Sequence, residues 1–72
     1  MARNVLVALG NWGSSDAVPV LSQALSDPEP LVRGHAAWAL GRVGGAAAHS
    51  ALEAALSSEE DPWVREELER AL

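Results

Sequence analysis

The sequence predicts an all-α protein, a short α-solenoid of about two and a half helical repeats with five helices. The first reason is composition. The 72 residues include 14 Ala and 10 Leu but no Ile, Phe, Tyr or Cys, so helix formers dominate. The second reason is an internal repeat: ALGNWG at residues 8–13 recurs as ALGRVG at 39–44, and PLVR at 30–33 recurs as PWVR at 62–65. A period of about 31 residues is typical of stacked helical pairs.

The repeats divide the chain, which we take as a single domain over residues 1–72. Residues 1–13 form half a repeat, residues 14–45 a complete repeat and residues 46–72 a second one. Residues 2–12 correspond to the second helix of a unit, so we expect the chain to be a fragment of a larger protein. Solenoid units bury their apolar faces on their neighbours, and we therefore expect modest stability or self-association through the exposed repeat ends.

The first complete repeat begins with a helix that Asp16 can cap, with Pro19 in the first turn, where its missing N–H costs little. Residues 26–29 (SDPE) end this helix. Its apolar face has helical spacing and consists of Val18, Leu21, Ala24 and Leu25.

Pro30 is well placed to start the second helix, which is predicted to run to about Val43. Gly44 and Gly45 end it, because glycine readily adopts the left-handed backbone of a helix stop. Small alanines in the core of this helix let neighbouring helices approach closely. The predicted core stripe is Val32, Ala36, Ala39, Leu40 and Val43.

The second repeat follows the same plan, with one helix over about residues 46–57 and another that Asp61 caps and Pro62 begins. We expect the acidic run at 59–61 to be a solvated loop plus this N-cap. Arg33 and Arg65 share one repeat position, where each is expected to bond a neighbouring acid or a loop carbonyl. Trp12 and Trp63 are expected to be packing residues.

The formal charge of −5 lies wholly in residues 46–72, because residues 1–45 carry three Arg and three acids. Phosphate binding is mainly electrostatic, so the total charge disfavours nucleic acid as a partner. Residues 1–45 carry no net charge, however, and an RNA-binding surface remains compatible with that part of the chain. The absence of Cys excludes disulfides, a cysteine nucleophile and thiolate metal ligands within these residues. The chain has no long apolar run and no secretory signal, so we expect it to be cytoplasmic, without a membrane partner.

One face of the second helix points away from its core stripe and carries Gly34, His35, Trp38 and Arg42. The repeat register adds matching positions from the first and last helices. These are Arg3, Asn4, Val7 and Asn11 in the first helix and Glu66, Glu67 and Arg70 in the last. Arg binds phosphate, His and Asn offer hydrogen bonds, and Trp stacks on bases, so the cationic end of this strip predicts RNA contact. The candidate RNA-binding residues are Arg3, Asn4, His35, Trp38 and Arg42. Trp38 has a second interpretation, which is packing against an absent domain.

No catalytic, cofactor-binding or metal-binding residues are predicted, so the chain is not expected to be an enzyme by itself. The Gly-containing strings at 10–13 and 41–45 follow helices rather than strands, which makes them helix stops and not phosphate loops. His35 and His49 lack the spacing of metal ligands.

The string VRGHAAWALG at residues 32–41 resembles the HEAT-like repeats of the phycobilin lyase type. A narrower resemblance involves residues 3–13 (RNVLVALGNWG), 31–42 (LVRGHAAWALGR) and 60–67 (EDPWVREE). These segments are similar to the C-terminal helical-repeat domain of bacterial epoxyqueuosine reductases, which are often described as iron–sulfur cluster-binding proteins. The resemblance covers nearly the whole chain.

The resemblance implies an accessory domain of a tRNA-modifying oxidoreductase. That family reduces epoxyqueuosine to queuosine in tRNA with cobalamin and two 4Fe-4S clusters, upstream of the helical repeats. Without Cys, this chain carries over no cluster ligand, and it carries over no cobalamin site. The implied partners are the tRNA anticodon stem-loop and the upstream catalytic domains. The alternative is a protein–protein interaction scaffold of the HEAT-repeat type, and a third interpretation is a lyase-type domain that handles a bilin.

Overall fold

The computed structural model of the protein describes residues 15–72, where a short 3-10 helix, Ser15–Ala17, precedes four α-helices and no strand occurs. The helices are α1 Val18–Ala24, α2 Pro30–Val43, α3 Gly45–Ser58 and α4 Pro62–Ala71. The all-α prediction is therefore confirmed. The number of five helices is not, because the described part of the chain holds four and the helix predicted at 2–12 lies outside it, as does Trp12.

The helices form two layers, with α1 and α3 in one and α2 and α4 in the other. Helix α2 packs on the three other helices, and its most extensive contact is with α4. Each helix contributes one fully buried leucine to the core between the layers. These leucines are Leu21, Leu40, Leu52 and Leu68. In the predicted stripe of α2, Ala36 and Ala39 are fully buried, whereas Val32 and Val43 lie partly buried at the edge of the core.

The helix ends follow local chemistry, and one predicted cap is wrong. Asp61 caps α4 as predicted, because its Oδ1 accepts the N–H of Trp63 at 2.9 Å and of Val64 at 3.0 Å. Asp16 does not cap α1: it lies in the preceding 3-10 helix, and Ala17 occupies the N-cap position without a side-chain cap bond. A cap at Asp16 would place Pro19 at the third helical position, where the N–H that a cap binds is missing.

Helix α2 ends at Gly44, which has a φ of 72° and donates its N–H to the carbonyl of Leu40 at 2.9 Å. Helix α3 begins directly at Gly45, whose φ is also positive at 90°. The two glycines therefore end one helix and turn the chain into the next, as the sequence predicts.

Arg33 joins the loops of the two repeats. Its Nε and Nη2 donate to Oε1 and Oε2 of Glu59 at 2.8 and 3.0 Å, and its Nη1 donates to the carbonyls of Asp27 and Pro28 at 2.8 and 3.1 Å. The structural role predicted for Arg33 is confirmed. The solvated loop predicted for Glu59 is wrong, because the ion pair leaves its side chain only 7 % exposed.

Arg65 repeats half of this arrangement. Its Nη1 donates to the carbonyls of Leu56 and Glu59 at 3.1 and 3.0 Å, which ties α4 to the end of α3. Both arginines therefore satisfy carbonyls that a helix end or loop leaves without a backbone partner.

Helices α2 and α4 approach closely at two glycines two turns apart on α2. Gly34 is buried beneath the indole of Trp63, so that a Cβ added to Gly34 would clash with the six-membered ring of that indole. A Cβ on Gly41 would lie 3.0 Å from the Cβ of Ala71. The sequence assigned Gly34 to the exposed strip, and this is wrong because the missing side chain makes the space that Trp63 fills.

The Arg33–Glu59 pair predicts how stability depends on pH. The hydrogen bonds from Arg33 lower the pKa of the Glu59 carboxyl below its ordinary value. A lowered folded-state pKa means that the stabilisation is complete above the unfolded pKa, about 4.3, and is lost as the pH falls through the folded value. Glu59→Gln should cost about 1–2 kcal/mol at pH 7. Its free energy of unfolding, measured by urea denaturation, should fall less steeply than that of the unsubstituted protein between pH 6 and pH 3.

Glu60→Gln is the matched control, because Glu60 is the exposed neighbour in the same loop. It should leave both the stability and its pH dependence nearly unchanged. Parallel pH curves for Glu59→Gln and the unsubstituted protein would contradict the role of the ion pair.

A double-mutant cycle tests the contact between Gly34 and Trp63. In a Trp63→Ala background, Gly34→Ala should stabilise α2 by about 0.5–1 kcal/mol, since alanine is the better helix former. With the indole present, the new methyl must displace the ring, and the gain should be lost or reversed. The coupling, measured by urea denaturation, should reach about 1–3 kcal/mol, whereas equal effects in both backgrounds would contradict the packing.

Candidate nucleic-acid interface

The second helices of the two repeats, α2 and α4, line one face of the protein. Their side chains form a shallow depression, which we call the α2–α4 groove. Its principal residues are His35, Trp38, Arg42, Trp63, Glu67 and Arg70. The groove has two halves that share Trp38 and Glu67. The aromatic half adds His35 and Trp63, and the cationic half adds Arg42 and Arg70.

Two ring interactions organise the surface of α2. The rings of His35 and Trp63 meet edge to face, with centroids 6.1 Å apart and planes 72° apart. The guanidinium carbon of Arg42 lies 5.6 Å from the centroid of Trp38, within the range of a cation–π interaction. Trp38 is partly buried, and Trp63 stays 40 % exposed although it packs on α2. The predicted packing role of Trp63 is confirmed, and its outer face is available to a ligand.

The charges in the groove are unevenly paired. Arg70 contacts two carboxylates, with Nη1 3.3 Å from Oε2 of Glu67 and Nη2 3.5 Å from Oε1 of Glu66. Among residues 15–72, no carboxylate lies within 4 Å of the Arg42 guanidinium, which is exposed. Arg42 is therefore the groove cation with the most charge left for an anion.

The structure brings three of the five candidate RNA-binding residues to this face, namely His35, Trp38 and Arg42. Arg3 and Asn4 lie outside the described residues. The sequence also placed Glu67 in the exposed strip, but it did not show that Glu67 lines the groove together with Trp38 and Trp63, because that position depends on how α4 sits against α2.

His49 lies away from this groove on α3, with Nε2 3.4 Å from Oε2 of Glu53 one turn later, and both side chains are exposed. In residues 15–72, no three His, Asp or Glu side chains come together in a way that could hold a metal ion. Iron–sulfur clusters are held by Cys thiolates, which this sequence lacks, so the chain offers no thiolate for the clusters that the resemblance implies. None of the helices described is long and apolar enough to cross a membrane.

Comparison with known proteins shows that the chain is similar to a part of larger proteins. An epoxyqueuosine reductase of Bacillus cereus is 40 % identical over 73 residues, which cover 100 % of this chain and 19 % of the relative. The chain thus spans about a fifth of the length of the epoxyqueuosine reductases it matches. The structure of epoxyqueuosine reductase from Bacillus subtilis matches with a TM-score of 0.88 and 38 % identity, over 96 % of this chain and 19 % of that one.

A further structure with the same TM-score, identity and coverage is an epoxyqueuosine reductase with an epoxyqueuosine-modified stem loop of tRNA-Tyr. These matches confirm the resemblance that the sequence motifs indicate. The family described as HEAT repeats matches residues 1–72, the whole length of the sequence. The chain therefore belongs to the HEAT-repeat family and is similar, over nearly its entire length, to a part of the epoxyqueuosine reductases.

Proposed function

We propose that this chain is a non-catalytic helical-repeat domain of an epoxyqueuosine reductase-like protein. In this role it helps to bind or position the tRNA anticodon stem-loop through the α2–α4 groove. The observation that carries the proposal is the placement of Arg42 and two accessible indoles on one face, in a chain that resembles tRNA-modifying enzymes.

The chemistry of the groove suits single-stranded RNA. Sequence-tolerant RNA binding combines a cation that tracks the backbone with aromatic rings on which unpaired bases stack. Arg42 supplies a guanidinium without a carboxylate partner among the described residues. Trp38 lies beside it, and Trp63 adds ring surface in the other half of the groove. His35 adds a hydrogen-bonding ring, and the repeat register adds Arg3 and Asn4 to the same predicted strip.

The comparisons support the tRNA stem-loop as the ligand, since one structural neighbour carries such a stem loop. In this proposal the chemistry of the parent protein, with its cobalamin and iron–sulfur clusters, belongs to the four-fifths of the relatives that this chain does not match. The chain then acts in the cytoplasm beside upstream catalytic domains. Its half repeat and two complete repeats are units of helix stacking and do not have separate functions.

The proposal predicts that the chain binds an anticodon stem-loop of tRNA-Tyr, and that binding weakens steeply with salt. In fluorescence anisotropy at ~50 mM salt, Trp38→Ala should weaken binding about tenfold, because each stacked base contributes about 1–3 kcal/mol. Arg42→Ala should weaken binding less and should reduce the slope of the salt dependence by about one.

His49→Ala is the control, since His49 is an exposed residue of α3 away from the groove. It should bind like the unsubstituted chain. A protein–protein scaffold, the alternative function, would show no RNA binding at low salt and would retain a protein partner that Glu66→Gln or Glu67→Gln releases. That result would overturn the proposal.

A further inference from the structure

The aromatic half of the α2–α4 groove has the size of a single flat group. It is lined by His35, Trp38, Trp63 and Glu67 and has a volume of about 210 Å³. Pockets that enclose whole drug-sized molecules begin at about 300 Å³. This half therefore accommodates one ring system that enters from outside rather than a complete ligand.

The cationic half lies directly beside it and has a volume of about 270 Å³. Arg42 and Arg70 line this half, and Trp38 and Glu67 line both halves. A nucleotide combines an anionic phosphate with a flat base a short distance away. The two halves of the groove match that arrangement, with the phosphate beside Arg42 and the base between the aromatic side chains.

Glu67 contributes the carboxylate of the aromatic half. Its side chain is 17 % exposed, and its Oε2 lies 3.3 Å from Arg70. Among residues 15–72, Oε1 of Glu67 accepts no hydrogen bond. An ionised carboxylate is negatively charged and only accepts hydrogen bonds. It therefore repels a phosphate and attracts N–H donors.

The bases differ in the donors that they offer to a carboxylate. Guanine presents two adjacent N–H donors, at N1 and the 2-amino group, on its Watson–Crick edge. Adenine, cytosine and uracil place at least one acceptor beside each donor, and that acceptor would face the second carboxylate oxygen. Single-stranded RNA exposes this edge, so a protein can read it.

We propose that the aromatic half of the groove binds one unpaired base and that Glu67 selects guanine. This inference rests on the proposed RNA-binding function and deepens it. A carboxylate beside indoles also suits a cationic peptide side chain, but Arg42 and Arg70 line the adjoining half and oppose a second cation. A neutral base carries no such penalty, and its phosphate gains from Arg42.

The test uses short oligouridine RNAs that carry one central guanine, inosine, adenine or cytosine. Binding to the chain is followed by tryptophan fluorescence at low salt. The guanine RNA should bind about tenfold more tightly than the adenine RNA, which is the usual size of a bidentate base contact. Inosine retains N1–H but lacks the 2-amino group, so its affinity should lie between these two.

Glu67→Gln is the decisive variant and Glu66→Gln its matched control. Both remove one negative charge and one ion pair with Arg70, and Glu66 lies on the same helix with a more exposed side chain. Any general gain in RNA affinity from the lost charge should therefore appear in both. Only Glu67→Gln should bring the preference for guanine over adenine close to one.

Equal binding of the guanine and adenine RNAs would overturn base selection, as would an equal loss of preference in both glutamine variants. If base selection fails but Trp38→Ala and Arg42→Ala still weaken RNA binding, the proposed RNA-binding function stands without base selection. If no RNA binds and an arginine-containing peptide quenches the fluorescence instead, both proposals fall and the groove is a protein-binding site.

Discussion

The close contact between α2 and α4 is the feature on which the rest of this surface depends. Two glycines on one face of α2 leave room for the partner helix, and Trp63 and Ala71 of α4 occupy that room. A side chain at Gly34 would displace Trp63 and separate it from His35. The groove forms because α2 has glycines where α4 packs against it. Large ring side chains of α2 lie immediately beside these glycines.

The ion pair between Arg33 and Glu59 fixes this contact from the ends of the helices. Glu59 accepts the backbone N–H of Asp61 at 3.0 Å as well as the bonds from Arg33, and Asp61 caps α4. The loop before α4 is thereby tied to α2 of the preceding repeat. Part of the −5 charge of residues 46–72 is the Glu59 carboxylate, which pairs with Arg33. Arg70 offsets another part through its contacts with Glu66 and Glu67. The acidic total is therefore a poor guide to the charge that a ligand meets at Arg42.

The sequence predicts most of this fold because its signals are local. A proline, a capping aspartate and a glycine stop set the limits of α2 and the start of α4 with little help from other elements. The groove depends on how two helices pack, and a helical wheel does not contain that information. It correctly placed His35, Trp38 and Arg42 on one face, although Trp38 also packs against the core. It wrongly placed Gly34 with them and treated Glu59 as a solvated loop residue. Both errors come from partners more than 25 residues away in the chain, Trp63 for Gly34 and Arg33 for Glu59.

If the α2–α4 groove is the face that meets the tRNA stem-loop, NMR chemical-shift mapping should locate the binding site there. The ¹⁵N-labelled chain is titrated with the anticodon stem-loop of tRNA-Tyr at ~50 mM salt, where electrostatic contacts are strong. We expect the largest saturable changes at the indole N–H groups of Trp38 and Trp63 and at the amides around Arg42, with the amides around His49 unaffected. Changes centred on α3, or no saturable change at all, would contradict the claim.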